Sequence, residues 1–204
     1  MAGLGAVNLV GESIAALLRA RRSLLAAEGR LGPVPPSQDI AHVPLAKLTG
    51  TSPPGSGLSV TCYHVGRSDH TIAQSAAQNP SASTGISLEL SYLIASWSSI
   101  ASEEQSLLSW AMLELNRYPV LDKGQLLGGD EWSREELVQL VPEDSDFDRL
   151  YRLWDALKQK YRLSPPVEKV RRKHRRHCAA SVTGSASAKE KRLAATGSPS
   201  LLGP

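Results

Sequence analysis

A chain of 204 residues, 41% hydrophobic, carries enough apolar surface for one domain core, but with 5% aromatic residues and clustered Pro and Gly the ordered part is expected to be shorter than the chain. Two cysteines, Cys62 and Cys178, exclude a disulfide framework and suit a reducing, cytoplasmic setting. The net charge of +3 hides an asymmetry: from Glu168 onward nine Lys/Arg stand against two Asp/Glu, giving +7, while residues 1–167 carry 14 against 18, giving −4. The basic balance therefore describes the C-terminal end and does not class the body as nucleic-acid-binding.

Val7, Val10, Ile14, Leu17, Leu18 and Leu24 recur like one face of a helix over residues 5–27, which Gly29 and Gly32-Pro33 end. Arg19, Arg21 and Arg22 fall in its later turns, where cations suit the helix dipole. The same order, apolar residues first and arginines after, with Glu12 interrupting the apolar stretch, is wrong for a secretory leader. No run approaches the roughly 20 apolar residues of a membrane span. A membrane-surface helix is disfavoured by the short polar face and the lack of aromatic anchors.

Residues 33–57 read as loop, with Pro-Pro at 35–36 and 53–54, and a short extended piece around His42–Leu48 in which His42 is incidental. Residues 58–65, LSVTCYHV, alternate as a strand, with Leu58, Val60, Cys62 and His64 on one face and Ser59, Thr61, Tyr63 and Val65 on the other. Cys62 is expected to be a small core residue. A long polar loop, 66–85, follows. His64, Asp69 and His70 are close in sequence there, but their spacing matches no metal-binding pattern.

Residues 86–118 carry the strongest pattern in the chain. Ile86, Leu88, Leu90 and Tyr92 alternate with Ser87, Glu89 and Ser91 as a half-buried strand. Ser102 and Gln105 then read as a capping box, followed by a stripe of Leu107, Leu108, Ala111, Met112 and Leu115 that Pro119 stops. Beyond turns at Gly124 and Gly128-Gly129, residues 137–141 suggest a short strand, in competition with a helical turn opened by Ser133 and Glu136. Residues 145–161 predict a helix with Phe147, Leu150, Leu153, Trp154, Leu157 and Tyr161 on one face and Trp154 as its core anchor. From Val167 the apolar periodicity is lost, and 167–204 reads as a basic, Ala/Ser/Gly-rich tail that cannot bury enough surface to fold alone.

Catalytic signatures are missing. The Gly-rich run at 50–57 lacks the lysine of a phosphate loop, and neither a G-x-S-x-G nor an H-E-x-x-H motif occurs. Asp144, Asp146 and Asp148 lack the Gly and terminal Glu of a calcium loop and more simply charge a helix start. His174, His177 and Cys178 lack the paired spacing of a zinc module. No catalytic, cofactor-binding or metal residues, and no cofactor, are assigned.

Three segments in order, LSVTCYHV at 58–65, ISLELSYLIASW at 86–97 with the EEQSLLSWAMLEL helix and Pro119-Val120-Leu121, and FDRLYRLWDALKQKYRLSPP at 147–166, resemble the small cap, or tail-terminator, proteins of phage-tail-like contractile injection systems. The third carries the Leu153-Trp154 pair and the Tyr161-Arg162-Leu163-Ser164 run. The resemblance covers about residues 5–166. It implies a non-enzymatic role: a ring, typically a homohexamer, that stops growth of the inner tube and holds the last sheath layer in a particle that is assembled in the cytoplasm and can be released. After Ser-Pro-Pro that family continues into an apolar strand completing the sheet; here Val167–Cys178 is basic instead, a departure that leaves open whether the final strand is degraded, replaced or diverged.

The resulting expectation is an α+β domain over 1–166, a small mostly antiparallel sheet from 58–65, 86–96 and 137–141 packed with helices near 5–27, 103–117 and 146–161, followed by a 167–204 tail. Its expected partners are copies of itself and inner-tube and sheath proteins, without membrane insertion. A nucleic-acid-associated accessory role for the basic tail is the alternative. An enzyme of unrecognised type, with a pocket at His64, Asp69 or His70, is a third reading.

Overall fold

The computed structural model describes residues 5–34, 38–49, 55–67, 88–132, 136–142, 147–165 and, for the backbone alone, 168–174. Within them the chain forms α1 (Ala6–Ala27), β1 (Asp39–His42), α2 (Leu45–Leu48), β2 (Gly57–Arg67), β3 (Leu88–Trp97), α3 (Ala101–Arg117), β4 (Val120–Leu121), a 3₁₀ turn at Gly129–Glu131, β5 (Glu136–Pro142), α4 (Phe147–Ala156) and β6 (Glu168–His174). The strands make one six-stranded sheet in the order β1-β2-β3-β6-β5-β4, with β1 parallel to β2 and every other pair antiparallel. The α+β class and the mostly antiparallel sheet are as expected; the sheet is larger.

The excess comes from β6. The expectation that the ordered body stops at residue 166 is corrected: Glu168–His174 runs between β3 and β5 and bonds to both. Composition misleads here because a central strand is secured by its backbone ladder, whose donors and acceptors are the same whatever the side chains. Its one aliphatic residue, Val170, falls in register with Leu90 of β3 and Leu140 of β5, both buried. Residues 175–204 lie outside the described residues, as does the 68–87 stretch.

Helices cover both sheet faces. α1 and α3 pack on one through Val10, Ile14, Leu18, Leu107, Ala111 and Leu115, against Leu58, Val60, Leu90, Tyr92 and Ile94. α2, α4 and the turn after α4 pack on the other through Leu48, Leu150, Trp154 and Leu157, against Leu93, Ala95 and Trp97. The β3 segment Leu90–Trp97 is buried on both faces, because its alternate residues feed two cores.

Side-chain assignments at the stripe margins shift. On α1, Leu24 is exposed and Leu25, seven residues after Leu18, is buried instead. On α3, Met112 is exposed while Trp110 and Glu114 go in. The expected Ser102 capping box does not form: α3 starts at Ala101 with Ile100 as its extended N-cap. Ser98 Oγ instead accepts from Ile100 N at 3.1 Å and donates to Glu103 Oε2 at 2.9 Å, and that carboxylate also accepts from Gln38 Nε2 at 2.9 Å. On β2 the face assignment holds through Tyr63, which packs on the Leu93 core, and fails from His64 onward. A bulge shifts the register between Cys62 and His64, so Val65 faces Leu90 rather than continuing the Thr61 face. Residues 137–141 are a strand, longer at both ends and not a helix start. The piece at 42–48 is not extended: β1 ends at His42 and Leu45–Leu48 is a single helical turn.

Candidate functional site

The most distinctive surface is built on α4 and the chain that leaves it. Leu150, Trp154 and Leu157 point into the second core. The helix stops after Ala156, and Lys158 takes a left-handed backbone (φ 55°) that turns the chain back along it. The helix expected through 161 is therefore shorter, and Tyr161–Ser164 runs as a strap beside it.

Two tryptophans anchor this strap. Trp154, 1% exposed, meets Trp97 edge-on with centroids 6.2 Å apart at 71°. Its indole N–H donates to Ser164 Oγ at 3.2 Å, and that hydroxyl donates to Arg162 O at 3.2 Å. Arg162 stacks its guanidinium carbon 4.6 Å from the Trp97 ring centroid and lies 3.9 Å from Glu104 of α3. The Tyr-Arg-Leu-Ser run is thus a clamp that binds two buried indoles through its Arg and its Ser.

The clamp presents a cluster of exposed aromatic rings. Phe147 and Tyr151, one helical turn apart, stack at 6.2 Å and 30°, and Tyr161 of the strap reaches Phe147 at 5.3 Å. Phe147 is 60% exposed, Tyr151 56% and Tyr161 38%, with Leu163 open beside them. Phe147 and Tyr161 were expected in the core stripe; the structure corrects both, since the helix start and the early turn leave them without sheet beneath. Four of the ten aromatic residues fall in the 15-residue window 147–161, a concentration that itself could have signalled a surface role. Exposed aromatic clusters are the usual anchors of protein interfaces.

The other sequence candidates do not converge. His64 is exposed on β2; Asp69 and His70 lie outside the described residues, as do Asp144, Asp146, His177 and Cys178. Asp148 is exposed on α4, and His174 is in register with Glu136. His42 is not an incidental loop residue. It packs against α1, its Nδ1 3.4 Å from Glu12 Oε1, and a Cβ on Gly11 would come 2.5 Å from its Nε2. Cys62 is half-buried on β2, and burial pushes its thiol pKa up. Among the described residues no three His, Cys, Asp or Glu gather as a metal site. A small, half-open apolar pocket of about 30 Å³ is lined by Ala6, Val7, Val10, Leu88, Leu90, Trp132 and Val138. Ligand pockets are typically about 300 Å³ or more.

Fold and surface together define an α+β domain that exposes a cluster of three aromatic rings. The sequence matches the Pvc16 N-terminal domain over residues 9–168, and the chain belongs to that family, a family of phage-tail-like injection-system components. No curated protein matches the chain. No helix among the described residues is long and apolar enough to cross a membrane.

Proposed function

We propose that this chain is the structural cap, or tail terminator, of a phage-tail-like contractile injection particle. A ring of identical copies, six in the reading that the resemblance favours, ends growth of the inner tube and holds the last sheath layer. The role needs no catalytic residue and no cofactor, only surfaces that fit a neighbour on one side and none on the other. The observation that supports it most is the exposed Phe147–Tyr151–Tyr161 cluster, carried on α4 and on the strap that Arg162 and Ser164 fix to Trp97 and Trp154. Covering the part of each ring still exposed contributes about 1–2 kcal/mol through apolar burial, and aromatic residues are frequent interface hot spots.

The test replaces the rings at the surface without touching the tryptophans beneath. Phe147→Ser/Tyr151→Ser is expected to unfold within a few degrees of the wild type yet to be missing from purified particles, which then show inner tubes of uncontrolled length. A folded double variant that enters particles normally and leaves tube length unchanged rules out this face as the contact.

The nucleic-acid reading has less support. Lys169, Arg171, Arg172 and Lys173 belong to β6, whose backbone is bonded on both sides, so truncation at Val167 would delete a central strand. A truncation after His174 is the fair version. Salt-dependent nucleic-acid binding lost in that variant would favour this reading over the cap.

A further inference from the structure

The β1 edge of the sheet is the place where an outside strand would add, and the structure fills it from within. Asp39 N donates to Ser56 O at 3.3 Å and Val43 N to Val60 O at 3.0 Å, so the backbone groups of residues 39, 41 and 43 face β2. Those of Gln38, Ile40 and His42 therefore face outward, because successive residues of a strand point their polar groups to opposite edges. Three of these outward groups in succession are occupied by side chains. Arg22 of α1 donates to Gln38 O, Asp39 Oδ1 accepts from Ile40 N at 2.8 Å, and Arg19 of α1 donates to Ile40 O at 2.7 Å.

Chain geometry makes the match possible. Arg19 and Arg22 are one turn apart on α1, a rise of about 4.5 Å, and the two carbonyls are two strand residues apart, about 6.6 Å; flexible arginine stems span the difference. Gly57 lets β1 lie this close to β2, since a Cβ there would stand 2.0 Å from Asp39 O. Arg22 is partly desolvated, which lowers its pKa, while Asp39 opposes that shift. A guanidinium nevertheless stays protonated across all usable pH, so protonation does not open the edge.

We infer that Arg19, Asp39 and Arg22 form a built-in stopper that closes the β1 edge against strand addition by a second copy of this chain. An open edge strand offers a row of donors and acceptors to any extended segment, and the nearest such segment in an assembly of identical chains is another β1. The far edge is blunted differently: β4 is two residues long, follows Pro119, and pairs with a β5 that ends in Pro142. With β1 occupied in this way and β4 this short, neither edge offers a long free strand to another copy.

The experiment compares Arg19→Ala/Arg22→Ala, Arg19→Lys/Arg22→Lys and Asp39→Ala with the wild type. Sedimentation velocity across a concentration series reads association, and amide exchange at His42 reads whether the outer edge has become paired between molecules. The double alanine variant is expected to form species larger than those of the wild type at an at least tenfold lower concentration, with the His42 amide newly protected. The double lysine variant, which keeps donors and charge, stays like the wild type, and Asp39→Ala shows an intermediate gain. A folded double alanine variant with wild-type association overturns the inference. So does a double alanine variant that fails to fold while Asp39→Ala associates like the wild type.

Discussion

Arg21 on α1 sets its Nε 2.9 Å from Oε2 of Glu114 on α3, a carboxylate only 1% exposed. Arg117, one turn further along α3, bonds the other oxygen from the solvent side, and the Arg21 guanidinium carbon lies 5.6 Å from the Tyr118 ring centroid. The hydrogen bond to Glu114 raises the Arg21 pKa, which outweighs its desolvation. This pair ties together the two helices that cover one face of the sheet. Arg21→Ala strands a buried carboxylate beside an exposed arginine and is expected to cost about 2–3 kcal/mol. Urea unfolding of Arg21→Ala, Glu114→Gln and the double variant checks this, with the double variant less damaged than the sum of the singles.

Gly57 is required by the close approach of β1. It adopts φ 146°, and any Cβ would overlap the Asp39 carbonyl. Gly57→Ala should lose at least about 3 kcal/mol, with the loss concentrated in β1. Hydrogen exchange on the variant should show the amides of Asp39 and Val43 opening ahead of those in β3.

Alkali should weaken the fold through two buried groups, a phenol and a thiol. Burial raises the Tyr92 phenol, whose hydroxyl donates to Val7 O at 3.3 Å, and burial also raises the Cys62 thiol. A raised pKa means that the folded state keeps protons which the unfolded state releases. The stabilisation is therefore complete below about pH 9 and declines as pH rises past the ordinary thiol and phenol values. Tyr92→Phe should lower stability at pH 7 by about 1 kcal/mol or less through the lost hydrogen bond, yet flatten the decline between pH 9 and 11. Equal alkaline slopes in urea titrations of the variant and wild type would argue against this.

The Ser164 clamp can be tested apart from the aromatic face it carries. Ser164→Ala leaves the Trp154 indole N–H buried without its partner and should cost about 1–2 kcal/mol. Because the strap then loosens, Tyr161 should lose its contact with Phe147. Near-ultraviolet dichroism should report this as weakened aromatic bands at an unchanged far-ultraviolet spectrum.

Where the sequence was legible, burial drove periodicity. Ile14 and Leu18, Leu107 and Leu115, and Leu150 and Trp154 were read correctly because each sits at the centre of an apolar stripe facing a sheet. Stripe margins shift by a residue or two, as at Leu24 and Met112, and the larger departures lie where backbone geometry decides. The bulge after Cys62 flips Val65, and the left-handed Lys158 turns Tyr161 out of the helix. β6 was missed because its interactions are main-chain pairings that a basic sequence does not advertise. The aromatic face was misread for a related reason. Phe147 and Tyr161 have the spacing of core residues, and only the positions of the first and last helical turns place them outside.

The most direct test of the cap reading is electron microscopy of particles purified from cells that make this chain with a small internal label. The reading predicts one labelled ring per particle, at one end of the inner tube, and overlong or unsheathed tubes when the chain is deleted. Label spread along the tube, label absent from particles, or normal tube length without the chain would contradict it.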